Sequence, residues 1–180
     1  LGDIPCDNPY EGFCPVKDLG TIGTGNHFAE FQCLEHVYRE EEAERLGLLE
    51  GRIMLLVHSG SRGYGQEILN RFYSPEGLPE DGEEGSRYLA EHDSAILWAG
   101  RNRMVTAKKL LAYLGVESEV NPLLESCHNY LERTEEGWLH RKGSVSTKRG
   151  AVVIPGSRGS LSYVCVPAAD TAVSLDSVSH

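Results

Sequence analysis

SRYLAEHDSAILWAGRNRMVTAKKLLAYL, residues Ser86–Leu114, is the stretch that decides the fold class of this chain. Leu89, Ala95, Ile96, Ala99, Met104, Ala107, Leu110 and Leu111 recur at helical spacing, which predicts one long amphipathic helix with its apolar stripe in the core. Gly115 supplies the stop. Working upstream, Pro75–Gly85 is acidic and rich in Gly and Pro, so it reads as a surface loop, and a second helix is expected from about Gln66. Arg52–Val57 is a buried-type strand that stops at His58, with a Gly-rich turn over Ser59–Gly65. Before it, Glu40–Leu49 reads as a short helix ending near Gly47 or Gly51, and Phe28–Tyr38 nearly alternates apolar and polar residues as a strand does. Leu1–Leu19 has little periodicity and reads as an irregular segment. Downstream, Val120–Tyr130, Gly137–Lys142, Gly150–Pro155 and Leu161–Val166 read as short strands and turns. Long helices interleaved with several strands, without a regular βαβ rhythm, predict an α+β fold.

A chain of 180 residues with 40% hydrophobic content can bury one substantial core, so residues 1–180 are expected to form a single domain. It opens on Leu1 rather than Met and closes on His180, from which an internal segment, incomplete at both ends, is expected. No apolar run approaches the roughly 20 residues of a membrane span and no signal pattern opens the chain, which predicts a soluble, cytoplasmic protein without a membrane partner. Cys6, Cys14, Cys33, Cys127 and Cys165 are scattered and include no C-x-x-C pair, so reduced thiols are expected. The net charge of -10 counts against a polyanionic partner. Its distribution does not: acidic residues gather in Glu40–Glu50, Glu76–Glu84 and Glu132–Glu136, whereas His140-Arg141-Lys142, Lys148-Arg149 and Arg158 form a basic stretch.

Three histidines sit in chemically suggestive surroundings. In Gly23-Thr-Gly-Asn-His-Phe28 two glycines let the backbone come close to a ligand, Asn26 offers an amide and His27 an imidazole; the same residues would also make a turn with a capping Asn. In Val57-His-Ser-Gly-Ser-Arg-Gly63 a strand delivers His58 to its end, and a turn follows whose backbone N–H groups and Arg62 suit an anion; an ordinary strand-end histidine is the plainer explanation. Ser126-Cys-His-Asn-Tyr130 adds His128 and Asn129, where a satisfied core histidine is the usual alternative. Neutral imidazoles suit Mn²⁺, Zn²⁺ or Fe²⁺, and three such positions together point to a divalent metal near phosphate. His140-Arg-Lys-Gly143 and Ile154-Pro-Gly-Ser-Arg-Gly-Ser-Leu-Ser162 fit a phosphate partner, the latter without the G-K-[ST] ending of a Walker loop. His36 and His92 read as solvated or packed residues, and the aromatic residues form no base-stacking platform.

In order, GTGNHF, HSGSRGYG, CHNY, HRKG and PGSRGSLSY resemble the RtcB family of RNA-splicing ligases, from Gly20 to the end of the chain. The resemblance implies an RtcB-like fold of mixed β-sheets surrounded by helices. It also implies a GTP- and Mn²⁺-dependent enzyme, with two ions expected, joining RNA 3′-phosphate or 2′,3′-cyclic phosphate ends to 5′-hydroxyl ends in tRNA splicing or RNA repair. It carries His27, His58 and His128 onto metal-binding positions. Onto guanylate-binding positions it carries Asn26, His27, Phe28, Ala29, Glu30, His128, Asn129, Pro155, Gly156, Ser157, Arg158, Ser162 and His180. The family's nucleophilic histidine lies in a Ser/Cys-His-Gly-Ala-Gly-Arg motif; Ser179-His180 matches its beginning, which makes His180 the candidate for guanylylation.

Departures accompany the match. The family's Asp-x-Gly-Cys-Gly segment, source of an Asp and a bridging Cys ligand, has no counterpart, Cys6 and Cys14 lie in another context, and the guanine-contacting C-terminal Lys is absent. PGSRGS and HRKGSV replace the commoner PGSMGT and HRKGAT, as in a divergent branch. Arg62, Arg141 and Lys142 are expected on charge and position to bind RNA or triphosphate oxygens. The competing expectations are a catalytically inactive homologue that binds metal, nucleotide and RNA, and a metal-dependent phosphoesterase.

Overall fold

The computed structural model describes residues 16–117, 119–157, 159–168 and 170–179. The chain divides into two compact units: Leu1–Phe28 with Ser59–Ser118, and Ala29–His58 with Glu119–His180. Most of the irregular segment expected over Leu1–Leu19 lies outside the described residues, as do Cys6, Cys14, Arg158 and His180.

The first unit is built on two helices, α2 over Arg62–Phe72 and α3 over Glu83–Tyr113. The expected long helix is present but starts earlier, at Glu83, because Glu83 and Glu84 carry negative charge into the first turn, where the helix dipole favours it. α2 also starts before the expected Gln66, since Gly63 and Gly65 mask with their poor helix propensity a turn that the chain nevertheless forms. Tyr64, Ile68 and Phe72, at four-residue spacing on α2, pack with Ala95 and Trp98 of α3, and Leu19, Leu78 and Tyr88 close over them. Arg71 then reaches across to Glu91, which is buried on α3, with two hydrogen bonds of 2.8 and 2.6 Å. The buried stripe of α3 is thus only partly apolar, for Glu91, Asn102 and Thr106 lie in it beside Ala95, Trp98, Ala99 and Ala107.

Among its described residues the second unit holds two-stranded ribbons, a short α-helix, α1, over Glu40–Arg45, and 3-10 turns at Thr147–Arg149 and Ala172–Ser174. β1 (Phe28–Cys33) pairs with β2 (Ile53–His58), and β3 (Asn129–Thr134) pairs antiparallel with β4 (Gly137–Lys142) from Asn129↔Lys142 to Thr134↔Gly137. β5 (Ser144–Ser146) pairs with β8 (Ser177–Ser179), and β6 (Val152–Ile154) with β7 (Tyr163–Cys165), both antiparallel. Among the described residues the strands are three to six residues long and each finds one partner. The strand expected over Phe28–Tyr38 stops at Cys33, and of Val120–Tyr130 only Asn129 and Tyr130 enter a strand, the stretch before them containing Pro122. The class is α+β.

Arg141 on β4 corrects the expectation that it binds RNA or triphosphate. It is 4% exposed and committed inward, its Nε donating to Glu132 Oε2 on β3 at 2.5 Å. Its Nη1 and Nη2 donate to Ser177 Oγ at 2.5 Å and to the Leu175 carbonyl at 3.1 Å. A guanidinium offers only donors, and here one edge serves the hairpin and the other the approach to β8.

Candidate functional site

In the second unit, the strand pattern brings two of the three expected metal-binding histidines together. His58 is the last residue of β2 and His128 stands immediately before β3. Their Nε2 atoms face each other at 3.2 Å, with the rings edge to face at a centroid separation of 5.4 Å. The His128 carbonyl accepts the Ser144 N–H at 3.1 Å, which ties the base of the histidine to β5. Two neutral imidazole nitrogens on one divalent ion, with bonds of about 2.0–2.2 Å, lie about 2.8–3.5 Å apart, so the pair fits such an ion. Among the described residues no group of three or more His, Cys, Asp or Glu side chains gathers to hold a metal, so the described donors come as this pair.

His27 lies in the first unit, in the loop that leads from Leu19 to Phe28. Arg62 Nη1 lies 3.4 Å from His27 Nδ1, and Arg62 Nε donates to Thr21 Oγ1 at 3.3 Å. Gly23, at φ 111°, makes room for this arrangement, since a Cβ there would overlap the Arg62 guanidinium and crowd His27 Nδ1. Arg62 itself holds φ 54°, a left-handed conformation that costs a non-glycine residue about 1–2 kcal/mol. Burial, then the Arg62 charge, lower the His27 pKa below its ordinary value, against a raising hydrogen bond to the Ile22 backbone. The ring is therefore neutral, the form able to ligate a metal. The stability it contributes is present above the ordinary histidine value and is lost as pH falls through the lowered one. Arg62→Gln is expected to raise the His27 pKa, because the charge goes and the ring gains water; following the His27 ring proton by NMR against pH checks this, and an unmoved midpoint would refute it.

Asn102, which no motif marks, organises the same loop. Its Oδ1 accepts the Gly20 and Thr21 N–H groups at 2.7 and 3.2 Å. Its Nδ2 donates to the Thr21 carbonyl, Ser59 Oγ and the Gly60 carbonyl at 3.0, 3.1 and 3.3 Å. Arg103 adds a 2.8 Å bond to the Ser59 carbonyl. Two consecutive residues of α3 thereby fix both the loop that carries His27 and the Ser/Gly turn that carries Arg62.

The positions expected to hold guanylate in the second unit converge around a residue that the sequence reading missed. Gln32 Nε2 donates to Glu30 Oε1 at 2.6 Å and to Ser162 Oγ at 2.9 Å. Ser162 Oγ also accepts the Gly156 N–H at 3.0 Å, and a Cβ on Gly156 would overlap the Leu161 carbonyl, so the loop closes only with glycine there. Glu30, Gly156 and Ser162 are thus assembled, with Pro155 adjoining Gly156. Ala29 falls on the opposite face of β1 from Glu30. Ser157 turns aside to bond Ser160. Asn129 Oδ1 accepts the Gly143 N–H at 2.9 Å, holding the strand that follows His128 against the end of β4, while Asn26 is exposed in its loop. Arg158 and His180 lie outside the described residues. Gln32 shares a face of β1 with Glu30, and that alternation was the signal available for finding it.

No helix of the described residues is long and apolar enough to cross a membrane. The family model described as tRNA-splicing ligase RtcB matches residues 15–180. An RNA-splicing ligase RtcB2 of Escherichia coli is 41% identical over 171 residues, which cover 91% of this chain and 44% of that protein. A tRNA-splicing ligase RtcB of Thermococcus kodakarensis is 30% identical over 195 residues, 83% of this chain and 40% of its own length. One from Pyrococcus abyssi is 32% identical over 196 residues, covering 83% of this chain and 21% of that protein. The chain spans less than half the length of these relatives. With the motifs in order and the family model matched over nearly all of its length, the chain belongs to the RtcB family.

Proposed function

We propose that this chain is the core of a cytoplasmic, GTP- and Mn²⁺-dependent RNA ligase. It joins RNA 3′-phosphate or 2′,3′-cyclic phosphate ends to 5′-hydroxyl ends through a histidine–GMP intermediate, in tRNA splicing or RNA repair. The observation that carries the reading is the facing His58–His128 pair, found in a family whose named relatives are RNA ligases. His58 and His128 would hold the metal, with His27 as the further histidine that the resemblance supplies. A Mn²⁺ ion held there would neutralise charge on the phosphates and so favour attack at phosphorus.

The chain's own residues account for the remaining steps. After any cyclic phosphate is opened, the His180 imidazole attacks the α-phosphorus of GTP, the new N–P bond replaces the bond to pyrophosphate, and pyrophosphate leaves. The RNA 3′-phosphate takes the guanylate from His180, and the 5′-hydroxyl then attacks that activated phosphate and expels GMP. Glu30 and Ser162, which Gln32 brings together, hold the guanylate, and the Gly156 N–H fixes the Ser162 hydroxyl. The exposed Lys142, beside the buried Arg141, serves RNA phosphate. The ribbons of this segment would extend into mixed sheets in the longer protein.

Incubating the full-length protein with Mn²⁺ and GTP labelled at the α-phosphate tests the reading. Acid-labile label on the protein is expected; His180→Ala should lose it, and His128→Ala should weaken Mn²⁺ binding by about 100-fold or more, two imidazoles being a large share of the ligand set. An unlabelled wild-type protein that still binds GTP and RNA would favour the non-ligating homologue instead.

A further inference from the structure

We propose that Gln32 is a positioning residue that fixes Glu30 as an acceptor and Ser162 as a donor toward the guanine base; this rests on the ligase reading above. β-Strand alternation puts Glu30 and Gln32 on one face of β1. A side-chain amide nitrogen carries two hydrogens, and the Gln32 Nε2 spends one on Glu30 Oε1 and the other on Ser162 Oγ, 130 residues further along the chain.

The consequence at Ser162 follows from counting. A hydroxyl has two lone pairs and one hydrogen. The Gln32 amide takes one lone pair and the Gly156 N–H the other, so the remaining capacity of Ser162 is its hydrogen. At Glu30 the logic is opposite. An ionised carboxylate only accepts, Gln32 holds Oε1, and Oε2 is not engaged among the described residues. A half-buried donor and a half-buried acceptor are therefore held by one amide, the Ser162 donor role being set by Gln32 together with the Gly156 N–H and the Glu30 acceptor being fixed in place by Gln32. Guanine matches this pattern, since its ring N–H and exocyclic amine donate and its O6 accepts. A second carboxylate at position 32 would repel Glu30, and an apolar side chain would release both partners.

The test is self-labelling of the full-length protein with GTP and with inosine triphosphate, which lacks the exocyclic amine. Wild-type protein is expected to prefer GTP by about 10- to 100-fold in kcat/KM, as a hydrogen bond to a charged group implies. Gln32→Met, which keeps the length of the side chain without its donors, should raise the KM for GTP by about 10-fold or more and bring the GTP-to-inosine ratio within about threefold of one. The KM should change more than kcat. Gln32→Leu serves as a second variant, with thermal melting of both to show that they fold. If folded Met and Leu variants keep the wild-type ratio, or lose both nucleotides in equal proportion, Gln32 is structural and the inference fails alone. If the wild-type protein takes no label from either nucleotide, the ligase reading itself fails and takes the inference with it.

Discussion

Asn102→Ala is expected to destabilise the first unit by about 3–5 kcal/mol and to strip protection from the Gly20 and Thr21 amides, although residue 102 lies in none of the motifs. Asn102 is 0% exposed, and five hydrogen bonds end on its amide. Alanine leaves two backbone N–H groups and two carbonyls, all part-buried, without that partner, at about 1–3 kcal/mol for a group left wholly unsatisfied. Ser59 suffers less, because its hydroxyl still donates to the Ile22 carbonyl at 2.6 Å. Asn102→Asp sharpens the expectation. An aspartate keeps the acceptor for Gly20 and Thr21 but turns a second oxygen toward the Thr21 and Gly60 carbonyls and buries a charge, so at neutral pH it should be at least as damaging as alanine and should recover as the pH falls. Hydrogen exchange at Gly20 and Thr21, with denaturant midpoints for both variants, checks the result; an alanine variant within about 1 kcal/mol of wild type would rule out the hub.

Glu132→Ala is expected to be more destabilising than Arg141→Met, although the two changes break the same ion pair. The Arg141 side chain is 2% exposed and the Glu132 side chain 20%. Removing the glutamate leaves a guanidinium buried without its counter-charge, a situation that costs about 3–5 kcal/mol. Removing the arginine takes the buried charge away, fills the space with a side chain of similar length, and leaves a carboxylate that water can partly reach; about 1–2 kcal/mol is expected there. Urea unfolding of the two variants measures the asymmetry, and equal losses would contradict it. Both changes should speed amide exchange along β8, since Arg141 holds Ser177 and the Leu175 carbonyl just before that strand's pairing begins.

The elements that the sequence revealed are those whose information is local. Ser86–Leu114 shows its helix by apolar spacing, and Gly137–Lys142 is bounded by the turn at Glu135-Glu136 and by Gly143. β5 and β8 could not be found this way, because each is a Ser-Val-Ser triplet too short for alternation to register, and each gains its partner from 33 positions away at Val145↔Val178. The polar part of the buried α3 stripe was hidden for a related reason: Glu91, Asn102 and Thr106 break the apolar pattern, and two of them are explained by partners remote in sequence, Arg71 and the loop at Gly20–Thr21. At the candidate site, the motifs named His58 and His128 singly, while the approach of their Nε2 atoms joins the end of β2 to the residue before β3, 70 positions along the chain. For Gln32 the alternation of β1 gave only the face it shares with Glu30; its role depends on Ser162, 130 residues further along the chain.

Arg62 shows how the two demands on a protein can diverge. Its left-handed backbone is a conformation that glycine would adopt without penalty, while its guanidinium sits beside His27 and bonds Thr21. A screen that rewarded heat tolerance alone would favour replacing it by glycine, and the sturdier protein would have surrendered the cation that, after burial, helps to keep its histidine uncharged. Laboratory evolution of this chain toward robustness is therefore safe only when survival is scored by what the protein does.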